Sequence, residues 1–380
     1  MGCVISTCGT SILTNTEKRR EQNELSVNRL SNKREEELSS EEKSYLDGLL
    51  DALKKESQGW DVAAAKRGSA ELNSLLAYYS NQVSNGAINQ HYFISSDTYV
   101  GKECAKVVAN WWAGQGAGFH AELYSVPELT TADALSFRGA MDNLAKWCAE
   151  SVEPMRGDPH YVVSFNLTGG FKSVQGFMQT LGMFYADETF YQFQGSDALL
   201  RIPRLPIEID TGARLELEKH FDVYRKLSIG IPVSGSDIAG IPESMIFTDG
   251  ADYTLSSWGR IIWDKCKQML YSSEFKRSPY SGVTLENSFL NDLKRFENDK
   301  KAICALNERL DDLAKYLLTK GKDNPARLYV HQIISKFKEA PNSTEEFYAW
   351  SDGGAWRVCC IINKSSNGAV LQRLIPHPKG

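Results

Sequence analysis

Residues 161–172 read Tyr161-Val162-Val163-Ser164-Phe165-Asn166-Leu167-Thr168-Gly169-Gly170-Phe171-Lys172. The first half is a nearly continuous apolar run, the signature of a strand buried on both faces of a parallel sheet. The paired glycines then feed a helical stretch through Leu181. The start of the chain carries the same design: residues 3–8 form a short apolar strand ending in Cys8-Gly9-Thr10-Ser11, a loop small enough for close backbone approach. Between these segments the chain alternates. A helix over 69–79 sets Leu72, Leu75, Leu76 and Tyr79 on one side, a strand runs over 91–95, and a helix capped by Asp97 continues through Trp112. A strand at 119–125 and a helix at 132–151 precede the opening segment, and strands at 188–193 and 199–202 follow it. The alternation predicts an α/β fold with a doubly wound sheet over residues 1–210.

The rest of the chain reads differently. From Thr16 to Lys55 the sequence is charge-dense, with Leu46, Leu49, Leu50 and Leu53 marking a helix with a solvated face. Pro203, Pro206, the region from Gly230 to Gly240 and Pro242 break the βα rhythm. Residues 211–297 then read as a connector, with a short strand or turn at 254–257 leading into a helix at 258–270. From Asp299 a helix carries Ile303, Leu306, Leu310, Leu313 and Leu317 on one face, and a second helix is expected from Pro325 to Lys338. Strands at 347–350, 356–362 and 369–375 complete a compact α+β unit over 298–380. No internal repeat is present.

Bulk properties agree with two or more domains in 380 residues, 42% of them apolar. A formal charge of −5 excludes a protein coated in basic surface. The eight cysteines are scattered without a CxxC pair, which predicts buried, reduced thiols in a cytoplasmic protein. The apolar start is too short for a secretory signal, no stretch is long enough to span a membrane, and Met1-Gly2-Cys3 runs into a strand rather than a lipidation site.

In an open parallel sheet, ligands bind beyond the carboxyl ends of strands where the strand order reverses. The loops carrying Gly9, Thr10 and Ser11 and carrying Thr168, Gly169, Gly170 and Lys172 are expected there. Glycines expose backbone N–H groups to a phosphate, a helix N-terminus adds positive potential, and Lys172 adds a formal charge. On spacing alone a plain tight turn with a solvated lysine accounts for these residues equally well.

The segments Ile5 to Ser11 and Phe165 to Lys172, with Gln175, Gly176 and Glu188 to Phe193, resemble the CRISPR-associated Rossmann-fold (CARF) proteins, in particular the branch that contains ring nucleases. The resemblance covers about residues 1–210. It implies a homodimer that binds a cyclic oligoadenylate, cyclic tetra-adenylate by preference, with Ser11 and Lys172 at the ligand. In that branch the corresponding serine and lysine support cleavage of the ring.

Trp356 to Ile362 followed by Ala369 to His377 resembles the last two strands of RelE-type toxin ribonucleases, which cut messenger RNA in the ribosomal decoding site. This resemblance implies a ribosome-dependent endoribonuclease with Arg357 on the family's strand arginine. Such cleavage needs no metal and no cofactor: a 2′-hydroxyl attacks, cations stabilise the phosphorane and an acid protonates the leaving oxygen. Arg357 and Arg373 suit the phosphate, His377 proton transfer and Lys379 substrate contact. A surface arginine paired to Glu345 or Glu346 is the plainer account of Arg357. Where the family carries strand lysines this chain has Tyr348 and Trp350, so another cation, with Arg327, Lys336 and Lys338 as candidates, or stacking on those rings must substitute.

Together the resemblances imply a ligand-switched ribonuclease of antiviral defence. Two other readings stay open: a ring nuclease that destroys the signal, and a ligand-controlled regulator whose residues 211–297 bind DNA as a winged helix.

Overall fold

The computed structural model describes residues 1–15, 27–130, 134–193, 198–205, 209, 211–333, 340–350 and 355–376. It is mixed α/β and divides into two compact units, Met1–Glu208 and Ile209–Gly380.

The first unit runs β1 (Gly2–Thr7), α1 (Ser40–Ser57), α2 (Val62–Gly68), α3 (Ala70–Tyr78), β2 (Gln90–Ser95), α4 (Tyr99–Ala113), β3 (His120–Ser125), α5 (Ala134–Trp147), α6 (Glu153–Gly157), β4 (Val162–Asn166), α7 (Lys172–Tyr185), β5 (Glu188–Gln192) and β6 (Leu199–Pro203). Its sheet has the order β3-β2-β1-β4-β5-β6. Five strands are parallel and β6 returns antiparallel to β5. Strand order therefore reverses between β1 and β4.

Strand alternation distributes the helices over both faces. Val4 and Phe93 point to one face, where they join Leu50, Leu72, Leu75, Val108 and Trp112 from α1, α3 and α4. Ile5, Tyr92 and Phe165 share the other face by register. There Trp147, the last residue of α5, packs on Tyr92 and Tyr124 at ring separations of 5.3 and 4.7 Å. A methyl group on Gly182 of α7 would stand 3.5 Å from Phe165.

Helix starts follow capping chemistry. Ser39 and Glu42 form a capping box on α1, Asp61 caps α2 and Ser69 caps α3. The cap of α4 is Thr98 rather than the expected Asp97, since Thr98 Oγ1 accepts the Gly101 amide. Asp97 instead receives the Glu128 amide and pairs with Lys102 at 2.6 Å. Of the charge-dense stretch, 40–57 is helical and 16–26 lie outside the described residues.

The second unit runs α8 (Thr211–Lys219), α9 (Phe221–Ser228), the hairpin β7 (Ile246–Asp249) and β8 (Asp252–Leu255), α10 (Ser257–Ser273), β9 (Val283–Leu285), α11 (Asn287–Leu293), α12 (Lys300–Leu318), β10 (His331–Gln332), β11 (Glu345–Trp350), β12 (Trp356–Asn363) and β13 (Gly368–Pro376). Its five-stranded sheet is ordered β10-β11-β12-β13-β9. All its pairings are antiparallel except that of β9 with β13. Residues 211–297 are thus tied to the C-terminal sheet: β9 is one of its strands and α10 packs along α12. Leu306, Leu310, Leu313 and Leu317 of α12 are buried against Phe347, Val358 and Leu374 of the sheet, each leucine worth about 1.5–3 kcal/mol of burial.

The helix expected from Pro325 to Lys338 does not form over its described part. Asn324 closes a loop on Val330, accepting its amide at 3.0 Å and donating to its carbonyl at 3.3 Å. His331 and Gln332 then pair with β11. Residues 334–338, including Lys336 and Lys338, lie outside the described residues. All eight cysteines are buried and unbridged. Among the described residues no helix is long and apolar enough to cross a membrane.

Candidate functional site

In the first unit the loops after β1 and β4 lie side by side at the strand-order reversal. A methyl group on Gly9 would stand 3.0 Å from the Gly170 amide nitrogen, and one on Gly170 would stand 3.2 Å from Thr7 Cβ. Gly170 has φ +93°, a conformation that glycine adopts without strain. Thr7 at the end of β1 donates to the Gly169 carbonyl at 2.5 Å, so the strands are bolted together just below the loops. Asn166 at the end of β4 donates to Ser6 Oγ at 3.2 Å and accepts from Ser74 Oγ at 2.9 Å.

The loop carbonyls are turned inward and held. Gln175 donates to the Gly169 carbonyl at 3.0 Å from the first turn of α7. Thr168 Oγ1 accepts the Gln192 amide at 3.1 Å, which fixes the loop against β5. The start of α7 has no side-chain cap, because Phe171 stands at the N-cap position. Its first-turn N–H groups and the positive end of the helix dipole are therefore free of a side-chain acceptor there. Lys172 and Ser11 are both exposed, and Thr10 opens a short 3₁₀ turn over Ser11–Leu13. The fold thus brings Gly9, Thr10, Ser11, Thr168, Gly169, Gly170 and Lys172 to the carboxyl ends of the two central strands of one sheet.

Sequence reasoning missed Glu71. This carboxylate is 1% exposed and sits beneath both loops. It accepts the Gly9 amide at 2.8 Å and the Ser69 hydroxyl at 2.7 Å. A side chain at Gly169 would overlap it. The signal was present: Glu71 lies four residues before Leu75 and so on the leucine side of α3. Burial and the neighbouring Glu71 push the Cys8 thiol well above its ordinary value, which keeps it protonated.

In the second unit, Arg357 and Arg373 share one sheet face, because Arg357 opposes Ile375 and Cys359 opposes Arg373. Both arginines bind carboxylates. Arg373 grips Asp292 of α11 through Nε at 2.7 Å and Nη2 at 3.2 Å, while Asp292 also accepts the Leu374 amide. Arg357 donates to Glu346, the pairing its plainer account anticipated, and also to Tyr348 Oη at 3.0 Å. Its guanidinium lies 4.9 Å from the Tyr348 ring centre. Arg327 is engaged by Asp312 at 2.7 Å. His377 and Lys379 lie outside the described residues.

The residue that completes this cluster is His331, which sequence reasoning did not single out. Its place on β10 puts it directly opposite Glu346, with Nε2 2.9 Å from Glu346 Oε1. The expected helix over 325–338 had hidden that register.

Residues 66–205 match the model of a family described as CRISPR-associated protein (Cas_APE2256). The match supports a CRISPR-associated protein. It runs from α2 to just past β6 and so contains Glu71 and the loop after β4. No curated protein matches the chain.

Proposed function

We propose that the first unit is a CARF-type sensor that binds a cyclic oligoadenylate, cyclic tetra-adenylate by preference, in the crevice between the loops after β1 and β4. The observation that carries this reading is the contact of Gly9 with Gly170 at the point where strand order reverses, flanked by exposed Ser11 and Lys172 and the uncapped start of α7. A ring of phosphodiesters calls for backbone N–H groups and a cation; the Gly9 amide is spent on Glu71, so the uncapped first turn of α7 supplies the N–H groups and Lys172 the cation. The match of residues 66–205 to a CRISPR-associated family supports a CRISPR-related role for this unit.

In this reading two copies share one ring, and the bound ring switches on a RelE-like ribonuclease in the second unit that cuts messenger RNA on ribosomes. Arg357 neutralises the phosphate as the 2′-hydroxyl attacks, in a metal-independent route. Its partners Glu346 and Tyr348 fix the guanidinium in place. The ligand acts by binding the active arrangement more tightly than the inactive one.

Titration of the purified protein with cyclic tetra-adenylate tests the sensor site. Binding that weakens at least about tenfold in Lys172→Ala, in line with the loss of one charge-assisted contact, supports it. Unchanged affinity in that variant removes Lys172 from the site.

A further inference from the structure

Tyr329 stands 56% exposed between two residues of the core, Leu328 and Val330. The loop that carries it is closed from both sides. Leu328 and Tyr329 each donate their amide to the Pro325 carbonyl at 2.9 Å, and the Asn324 side chain brackets Val330. The two buried neighbours therefore anchor the loop and turn the tyrosine out to solvent. Its φ is +42°, a left-handed backbone that bulky side chains avoid. A large ring kept out of the core on a strained backbone costs stability, and strain of this kind collects at sites that hold a ligand.

The exposed ring begins a row that ends at Arg357. Its centre lies 5.3 Å from that of His331, with the planes inclined at 34°, and His331 lies 6.5 Å from the Tyr348 ring. The Arg357 guanidinium lies 4.9 Å from the Tyr348 ring centre. By register His331, Tyr348 and Arg357 share one face of the sheet across β10, β11 and β12. His331 is held at both ring nitrogens, by the Tyr329 carbonyl and by Glu346, each at 2.9 Å. It therefore backs the tyrosine as a fixed second ring. Aromatic faces beside a cation are what single-stranded nucleic acid recognises: bases stack on the rings and the backbone phosphates meet the charge.

We infer that Tyr329 positions the substrate of the second unit by stacking on one base of single-stranded RNA close to the phosphate that Arg357 holds; this rests on the ribonuclease reading above. Stacking uses the π-face that every base has, so Tyr329 grips the strand without selecting its sequence. What it sets is register. With one base seated on the ring, the strand cannot slide past Arg357, and a fixed phosphate rather than any phosphate meets the guanidinium. The strained loop serves that end, because it presents the ring rigidly and the ordering is complete before RNA arrives.

The test measures messenger RNA cleavage on ribosomes by the full-length protein with cyclic tetra-adenylate. Tyr329→Ala and Tyr329→Leu, which lack a π-face, are expected to slow cleavage by about 5- to 150-fold, the worth of one stacked base. Tyr329→Phe and Tyr329→Trp keep a ring and are expected to cut at near the unaltered rate. Tyr329→Asn suits the left-handed backbone, so it is expected to melt no lower than the unaltered protein and yet to cut as slowly as Tyr329→Ala. Messenger RNAs that each lack one base near the mapped cut give the direct readout. One of them is expected to be cut slowly by the unaltered protein and no more slowly by Tyr329→Ala, because the two changes remove the same contact. Full activity in Tyr329→Ala or Tyr329→Leu, a lower melting temperature in Tyr329→Asn, or the same further slowing by Tyr329→Ala on every base-deleted RNA overturns the assignment. If the unaltered protein does not cut intact RNA, the ribonuclease reading itself falls, and the inference with it.

Discussion

Glu71 Oε1 accepts the amide proton of Gly9 at 2.8 Å, so a buried carboxylate on α3 holds the loop that follows β1. The same carboxylate leaves no room for a side chain at Gly169 in the loop after β4. One residue thereby sets the spacing of both walls of the crevice. Glu71→Ala strands the Gly9 amide and is expected to cost about 1–3 kcal/mol and to weaken cyclic tetra-adenylate binding. Glu71→Gln keeps an acceptor for Gly9 and a polar partner for Ser69, and is expected to lie near the unaltered protein in both respects. Thermal melts and ligand titration of the two variants check this.

Gly170 is expected to be the less tolerant of the paired glycines on conformational grounds. Alanine there must hold φ near +93° and stand 3.2 Å from Thr7 Cβ, a strain of about 1–3 kcal/mol. A urea unfolding midpoint unchanged in Gly170→Ala would contradict the loop geometry.

Much of the first unit was legible because its strands and helices are local patterns. The run 161–166 became β4, and the leucines of 69–79 became the buried side of α3. The loops that end β1 and β4 follow from those strands. The partners of the loops did not follow, since Glu71 acts across sixty-two positions of sequence from Gly9. In the second unit, Pro325 and the residues after it carry a composition that a helix tolerates. The loop is closed instead by the Asn324 side chain, and His331 is recruited as an edge strand by β11. Edge pairing of that kind is a tertiary choice, which local propensity does not record.

His91 gives the first unit a defined weakness to acid. Its buried ring meets the Trp112 indole N–H and the His120 carbonyl at Nδ1, at 3.0 and 3.2 Å, and Tyr79 Oη at Nε2, at 3.0 Å. Burial lowers the His91 pKa from 6.5 to about 4. The unfolded chain then binds a proton that the folded one refuses. Stability from this group is complete above pH 6.5 and is lost as pH falls towards 4, by about 3 kcal/mol at roughly 1.4 kcal/mol per unit. Denaturant titrations at a series of pH values check the slope, which His91→Gln is expected to flatten in that window.

Arg225 and Asp311 form the buried bolt of the second unit. Arg225 Nε donates to Asp311 at 2.8 Å with its side chain 1% exposed, and Tyr271 Oη donates to the same carboxylate. Asp311→Ala leaves a buried guanidinium unpaired, and a loss of about 3–5 kcal/mol is expected. Chemical denaturation of the full chain, followed by its tryptophan fluorescence, measures it. A loss below about 1 kcal/mol, the range of an exposed pair, would show that the pair is solvated.

On the proposed reading, a cyclic oligoadenylate held between the loops of Gly9 and Gly170 controls RNA cleavage at Arg357. The most direct measurement incubates the protein with ribosomes and a messenger RNA, with and without cyclic tetra-adenylate, and maps the RNA ends. New ends that form with the ligand, and that vanish in both Lys172→Ala and Arg357→Ala, are the predicted result. Cleavage independent of the ligand, or rapid breakdown of the ring with the messenger RNA left intact, would contradict it.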